Sequence, residues 1–280
     1  MVLLALCAAG LYCGIVAAIV VLALVEPTWT PYIAVFAFVI TIATVARYGS
    51  AGGLLLGATG AEIVPDDEEP ALHGMLDRLA ALADVPKPRL ALVDSPAMNA
   101  FTVGVRRRRS TVAVTTGLRE ALTPSEIEAV LAHELAHIAN RDAGLMTVAG
   151  VPRALGETIM DQNGFIWITW FFLWWLGVPI WALGSLITLT LSRYREFAAD
   201  RGSALLTGNP AGLMSALVKL DGAGSAIPGE DLRSLSPVEA LCVVSNGRSR
   251  FGFFADHPPL EKRLARLAEM ARVMGEPVGA

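Results

Sequence analysis

The chain has 280 residues, of which 54% are hydrophobic and only 17% are charged, and its formal net charge is -4. A soluble domain is normally about a quarter charged, so this composition predicts an integral membrane protein that carries a polar domain. The negative net charge argues against a nucleic-acid partner.

The N-terminal segment predicts a transmembrane hairpin within residues 1–60. Residues 3–25 carry no charge and are long enough, at about 1.5 Å a residue, to cross a hydrocarbon core of about 30 Å. A second apolar run covers about residues 31–46. The short loop between the two runs lacks Lys and Arg, so the positive-inside rule places it outside and the following domain in the cytoplasm. A cleaved signal peptide fits less well, since no basic residue precedes the first run.

The polar domain begins at about residue 61 with a pattern that is typical of a small sheet. Residues 88–93, 99–104 and 110–116 alternate in polarity or are rich in β-branched side chains, and we expect them to form an antiparallel sheet. The run Arg106 to Arg109 would form a hairpin turn, which is either solvated or in contact with anionic headgroups.

The strongest chemical signal is His133-Glu134-Leu135-Ala136-His137, a HExxH motif. Histidines four residues apart share one face of a helix and can bind one zinc ion, and the glutamate is then placed to act on a water held there. Two surface histidines on an ordinary helix are the alternative, but Glu134 is the only charged residue between Val130 and Ala139. The start of the helix is marked by a predicted capping box with an N1 proline: Thr123, Pro124 and Glu126.

Residues 143–191 predict a second, internal membrane hairpin. A turn signal at residues 161–164 divides this apolar block into two helices. The first helix is interrupted by Arg153 and Glu157, whereas residues 165–191 carry no charge. A hairpin returns the chain to the side that it left, which brings residues 192–280 back to the motif.

A zinc ion held by two histidines needs a third protein ligand and one open position. A metzincin would supply a histidine at position 143, where this chain has Ala143, so that class is excluded. Glu196 and Asp200 lie four residues apart, on one face of the helix that follows the hairpin. We assign Glu196 as the third ligand and Asp200 as the acceptor that orients a ligand histidine.

Alternatives to Glu196 as the third ligand stay open. Glu196 could instead form an ion pair with Arg193 or Arg195 at the membrane exit. Asp142 and Glu157 are competing carboxylates, but Asp142 is too close to the motif to fold back from the same helix, and Glu157 falls within the predicted hairpin.

Four segments together resemble the HtpX family of membrane-embedded zinc metalloproteases, gluzincins that are related to the CAAX-prenyl endopeptidases. The resemblance runs from about residue 65 to 268 and is carried by these segments: MNAFTVG at 98–104, HELAHIANRD at 133–142, SRYREFAAD at 192–200 and DHPPLEKR at 256–263.

The resemblance implies further site residues. Asn99, Ala100 and Phe101 would lie on an edge strand above the zinc and bind an extended substrate by strand addition. His257 would lie near the zinc and hydrogen-bond the oxyanion, although by itself it reads as a turn histidine before two prolines. Arg263 would anchor its helix.

The sequence therefore predicts an α+β membrane protein with a mainly helical zincin-type protease domain in two parts, residues 61–142 and 192–280. We expect one Zn²⁺ per chain, held by His133, His137 and Glu196, with Glu134 as general base in peptide-bond hydrolysis. The partners would be a peptide or protein substrate and the lipid bilayer of the inner or plasma membrane, with the catalytic domain facing the cytoplasm. The resemblance implies membrane protein quality control; the alternatives are a CAAX-type prenyl endopeptidase and a non-catalytic membrane scaffold.

Overall fold

The computed structural model describes residues 56–57, 59–160, 167–222 and 258–275, with a few isolated positions before residue 43. The chain divides into two compact units, Met1–Ser50 with Leu145–Leu191, and Ala51–Gly144 with Ser192–Ala280. Apart from those isolated positions, the two spans predicted at residues 3–25 and 31–46 lie outside the described residues.

The second unit begins with four short strands and three helices. Its first elements are β1 (Glu62–Val64), α1 (Pro70–Leu82), β2 (Arg89–Val93), β3 (Ala100–Val103), β4 (Thr111–Thr115), α2 (Thr116–Ala121) and α3 (Pro124–Asn140). The chain then passes through the first unit, and the elements that follow are α4 (Asp142–Met160), α5 (Trp167–Thr207), α6 (Pro210–Gly222) and α7 (Leu260–Met274).

The sheet is mixed, so the prediction of an antiparallel sheet was wrong. Its strand order is β1-β2-β4-β3, and β2 pairs with β4 in parallel, with Leu90 opposite Val112. The pairs β1–β2 and β3–β4 are antiparallel. Alternation of polarity indicates which face of a strand is buried but carries no information on strand direction. The sequence pattern therefore did not exclude a parallel pair. Strand β3 lies at the edge of the sheet, as predicted.

Both faces of the sheet are buried. On one face, side chains of β2 and β4 such as Leu90 and Val114 pack with α1, α3, α6 and α7 in one hydrophobic core. On the other face, Val93, Phe101 and Val103 form a smaller cluster. The motif helix α3 lies inside the larger core, where Leu131 and Leu135 are fully buried. Each buried leucine contributes about 1.5–3 kcal/mol, so the hydrophobic core holds this helix in place.

The capping box predicted for α3 is confirmed and has a second use. The side chain of Thr123 accepts a hydrogen bond from the amide of Glu126, and the carboxylate of Glu126 accepts one from the amide of Thr123 at 2.7 Å. The same carboxylate accepts hydrogen bonds from Ser215 at 2.6 Å and Lys219 at 2.7 Å, both on α6. Burial raises the pKa of Glu126, but the bonds from Lys219, Ser215 and Thr123 outweigh it and lower the pKa to about 2. The start of the motif helix is therefore tied to α6.

In the first unit, α4 and α5 approach each other closely at two glycines. A Cβ on Gly156 would lie 2.6 Å from the Cβ of Trp181, and a Cβ on Gly184 would lie 2.5 Å from the amide nitrogen of Arg153. Arg153 and Glu157, which interrupt the apolar pattern of α4, form an ion pair at 3.0 Å. Among the helices of the described residues, none combines the length and apolarity needed to cross a bilayer. The membrane character of residues 143–191 stays a prediction, and the predicted turn at 161–164 lies outside the described residues.

Candidate metal centre

Three side chains assigned as zinc ligands converge between α3 and α5. His133 and His137 lie one turn apart on α3, and their Nε2 atoms are 3.2 Å from each other. Each Nε2 lies 3.6 Å from an oxygen of Glu196 on α5. His133 and Glu196 are fully buried, whereas the side chain of His137 is 11% exposed. One edge of the site is therefore open to a reactant.

The donor set fits a zinc ion. Two imidazoles and a carboxylate are the protein ligands of a catalytic zinc site, which keeps a further position for water or substrate. Ligand atoms bound tetrahedrally at about 2.0–2.1 Å stand about 3.3 Å apart, close to the separations of 3.2 and 3.6 Å between these nitrogens and oxygens. His133, His137 and Glu196 could hold one metal ion.

Each ligand histidine has a carboxylate on its other ring nitrogen. Nδ1 of His133 lies 3.1 Å from Asp200, the residue assigned to this position from the sequence. Nδ1 of His137 lies 2.6 Å from Asp142, which sequence reasoning considered only as a competing ligand. A carboxylate at Nδ1 fixes the ring orientation and leaves Nε2 free of a proton for a metal.

The approach of Asp142 to His137 depends on one residue at the end of the motif helix. Arg141 adopts a left-handed conformation with φ 58°, and α4 begins immediately after it. This reversal lets the next residue reach back to the helix that it has just left. The expectation that Asp142 is too close in sequence to fold back holds for a continuous helix, and the chain breaks the helix at that point.

Two buried arginines neutralise the carboxylates of the site. Arg263 on α7 donates to both oxygens of Asp200, at 2.9 and 2.6 Å, so it anchors its helix as predicted. Arg195 donates to Glu196 at 3.2 Å and lies 3.8 Å from Asp142. Removing either arginine would leave a buried, uncompensated negative charge, which costs about 3–5 kcal/mol.

The same network sets the charge of the metal-free site. Burial lowers the pKa of His133, but the adjacent carboxylates of Asp200 and Glu196 outweigh it and raise the pKa to about 9. Burial raises the pKa of Asp200, but the charge of Arg263 together with the hydrogen bonds from Arg263 and His133 lowers it. Without metal, the His133 ring is therefore protonated on both nitrogens and positively charged at neutral pH. A metal ion has to displace one of these protons.

Glu134, the candidate general base, is buried but has no hydrogen bond to either carboxylate oxygen among the residues that the structure describes. A buried carboxylate without a partner costs free energy, so such a group is usually explained by an ion, a water or a catalytic role. Its main-chain carbonyl accepts a hydrogen bond of 3.4 Å from Thr102, which joins β3 to the motif helix. The base is thus held beside the edge strand.

The side chains at the start of β3 are buried, so a substrate beside this strand would meet its main chain. Asn99, Ala100 and Phe101, assigned to substrate binding, are 2% exposed or less. The amide of Asn99 donates to Thr115 Oγ1, and its carbonyl accepts from the amide of Thr115, so its main chain faces β4. In an antiparallel ladder the main-chain N–H and C=O groups of successive residues point to opposite sides. Those of Phe101 therefore point towards β4, and those of Ala100 and Thr102 point away from it.

His257 lies outside the described residues, as does the rest of the segment between 222 and 258. Sequence reasoning missed the orienting role of Asp142 and the neutralising role of Arg195. The only signals for them were a carboxylate five residues after His137 and an arginine next to Glu196.

A model of Peptidase family M48 matches residues 66–271 of the chain. The chain is 40% identical over 245 residues to "Protease HtpX homolog 2" of Methanosarcina mazei, covering 82% of each protein. It is 42% identical over 260 residues to "Protease HtpX homolog" of Moorella thermoacetica, covering 88% of this chain and 86% of that protein. The crystal structure of S. mikatae Ste24p is similar with a TM-score of 0.53 at 21% identity, covering 91% of this chain and 63% of that one. The last similarity shows the fold alone.

Proposed function

The chain belongs to peptidase family M48 and is a zinc metalloendopeptidase of the HtpX type, and we propose that His133, His137 and Glu196 hold its single zinc ion. The observation that carries this proposal is the convergence of two imidazole nitrogens and a carboxylate, 3.2–3.6 Å apart. The resemblance inferred from the four sequence segments is confirmed at the level of the family.

Glu134 is the proposed general base. A zinc ion held by His133, His137 and Glu196 would supply Lewis acidity that makes the attacking water easier to deprotonate. Glu134 takes a proton from the attacking water and returns it to the nitrogen of the leaving amine, so that one carboxylate serves both halves of the reaction. Its lack of a hydrogen-bond partner in the described part of the chain supports this role, since neither oxygen is committed to the protein.

The remaining residues position the reacting groups. Asp200 and Asp142 hold the rings of His133 and His137 with Nε2 towards the metal position. By its place in the family's C-terminal motif, His257 is proposed to donate a hydrogen bond to the developing oxyanion.

An extended peptide is the proposed substrate. Strand β3 lies at the sheet edge, and Ala100 and Thr102 direct their main-chain groups outward, so a peptide can add as a further strand. The apolar runs at residues 3–25 and 31–46 support anchoring in a bilayer with the catalytic unit in the cytoplasm. We infer that damaged or misassembled membrane proteins are cleaved.

Zinc content and casein cleavage by the full-length protein test the mechanism. Wild type should carry one zinc ion and cleave casein, Glu134→Gln should carry zinc without cleaving, and Glu196→Ala should lose both. Glu128→Gln is the matched control, because Glu128 lies on the same helix but pairs with Arg78. Zinc loss in Glu134→Gln, or cleavage near the wild-type rate, would contradict the role of Glu134. Full zinc content in Glu196→Ala would contradict the third ligand.

A further inference from the structure

A shallow cleft opens beside His137, on the side where its ring meets Asp142. We call it the arginine cleft, because three arginines line it: Arg107, Arg141 and Arg195. Thr102 and Gly104, at the end of the edge strand, also line it. The cleft thus joins a zinc ligand to the strand along which a substrate would lie.

The charge of the arginine cleft is not balanced by its own residues. Its one carboxylate, Asp142, is already hydrogen-bonded to His137, and it lies 3.8 Å from Arg195. Arg195 in turn donates to Glu196. Within the part of the chain that the structure describes, neither Arg107 nor Arg141 forms an ion pair. Among the described residues, two of the three lining arginines therefore have no carboxylate partner.

Arg107 is fixed in place with a donor to spare. Its Nη2 donates to the carbonyl of Ala139 in the last turn of the motif helix, which holds the guanidinium at the cleft. Its Nε is buried and has no hydrogen-bond partner among the described residues. Such a donor is costly in a closed core and favours a site that an acceptor enters.

Arg141 is held at the cleft by an unfavourable backbone. Its φ of 58° lies in the left-handed region, which disfavours residues with a Cβ and which glycine or asparagine usually fills at a helix end. An arginine at this position keeps a flexible cation at the cleft at the expense of backbone strain. Glycine at this helix end would leave the cleft without that side chain.

From these observations we propose that the arginine cleft is a substrate subsite that binds a carboxylate of the peptide, either an acidic side chain or the C-terminal carboxylate. This inference rests on the proposed function, because it places the peptide along β3. Guanidinium groups bind carboxylates through paired, charge-assisted hydrogen bonds. A peptide that follows β3 past Thr102 reaches the cleft at the end of that strand, next to His137.

The test uses fluorogenic peptides that differ at single positions. In one series Glu is moved along the peptide and compared with Gln, with the C-terminus amidated throughout. In the other series the C-terminus is a free acid or an amide. Wild type should cleave the acidic member of one series with kcat/KM about tenfold higher at low salt, and the difference should shrink as salt is added. The series that shows the effect identifies the source of the carboxylate.

Two variants connect the preference to the cleft. Arg141→Gln should bring the ratio between acidic and neutral peptides close to one while the neutral peptide is still cleaved, and Arg141→Glu should favour a Lys peptide. Arg108→Gln is the control, because Arg108 is an exposed arginine in the turn that also holds Arg107 but does not line the cleft. Equal cleavage of all peptides by wild type, or an unchanged ratio in Arg141→Gln, would overturn the subsite.

Binding separates failure of the subsite from failure of the proposed function. The same peptides are titrated by fluorescence anisotropy against zinc-loaded Glu134→Gln. Tighter binding of acidic peptides with no cleavage by wild type would support the subsite and contradict peptide hydrolysis. Cleavage by wild type without any preference in binding would support peptide hydrolysis and contradict the subsite. Competition by anionic vesicles, with no preference among peptides, would assign the cleft to lipid headgroups and overturn the proposal.

Discussion

Gly202 packs directly against Ala136, since a Cβ on Gly202 would lie 2.6 Å from the Cβ of Ala136. Ala136 precedes the proposed ligand His137 on α3, and Gly202 lies on the same helix as Glu196. Beside this contact, the hydroxyl of Ser203 donates to the carbonyl of Ala129 at 2.7 Å. The missing side chain at position 202 therefore sets the spacing of the two helices that supply the ligands.

Gly202→Ala should weaken zinc binding about tenfold to a hundredfold and lower cleavage in parallel, because the new methyl group pushes Glu196 away from the histidines. Ala136→Gly in the same chain removes the opposing methyl group and should restore much of the affinity. The measurement is the zinc dissociation constant by competition with a chelating dye. Leu205→Ala, an exposed change on the same helix, is the control. Wild-type affinity in Gly202→Ala would contradict the spacing role.

Asp142→Asn and Asp200→Asn should each reduce zinc affinity about tenfold to a hundredfold, since each removes the acceptor that orients a ligand ring. The effect on stability should differ. Asp200→Asn leaves Arg263 buried without its carboxylate and should lower the free energy of unfolding by about 3 kcal/mol more than Asp142→Asn. Zinc titration and urea unfolding of the metal-free proteins measure the two effects. Equal stability of the two variants would show that the pair with Arg263 adds nothing.

Glu126→Gln should lower the free energy of unfolding by about 2 kcal/mol at pH 7, a value discounted because its partner Lys219 is 41% exposed. The pKa of Glu126 is lowered from 4.5 to about 2 in the folded chain, so its contribution is fully present above about pH 5. That contribution is lost as the pH falls from 4.5 through about 2.

Urea unfolding at pH 7, 5, 4 and 3, with zinc removed from both proteins, measures this difference between wild type and Glu126→Gln. The two proteins should converge as the solution becomes acidic. Glu128→Gln, a change on the same helix, should show a smaller difference at pH 7. A difference for Glu126→Gln that stays constant from pH 7 to pH 3 would show that its charge is not the cause.

Peptides methylated on one backbone amide at a time should lose activity at alternate positions. A strand added beside β3 meets the outward groups of Ala100 and Thr102, so only every second amide of the peptide donates to it. Each lost hydrogen bond should lower kcat/KM about tenfold. Sensitivity that is equal at every position, or confined to the scissile bond, would argue against strand addition.

The sequence was sufficient wherever the determining interactions are local. A capping box and two histidines four residues apart depend on one helix, so Thr123, His133 and His137 were placed correctly from spacing alone. Glu196 required the third ligand to come from a distant helix. Zinc chemistry called for a carboxylate and the chain offered few, and the structure brings Glu196 within 3.6 Å of both histidines.

Contacts decided by tertiary structure were not predictable in the same way. The parallel pairing of β2 with β4 depends on how the chain crosses between strands, which side-chain alternation does not encode. The orienting role of Asp142 depends on the left-handed conformation of Arg141, a residue whose type gives little warning of it. The close contact of Gly202 with Ala136 joins positions 66 residues apart, so no local sequence pattern indicates it.

The paired hydrogen bonds between Arg263 and Asp200 have a thermodynamic consequence for the end of the chain. Asp200 serves both His133 and Arg263, so the metal position and the seating of α7 share one carboxylate. If packing of α7 strengthens zinc binding, then thermodynamic linkage requires that zinc binding stabilises the packing of α7 by the same free energy. Helix α7 supplies no ligand atom among the described residues, yet its packing contributes to the affinity for the metal.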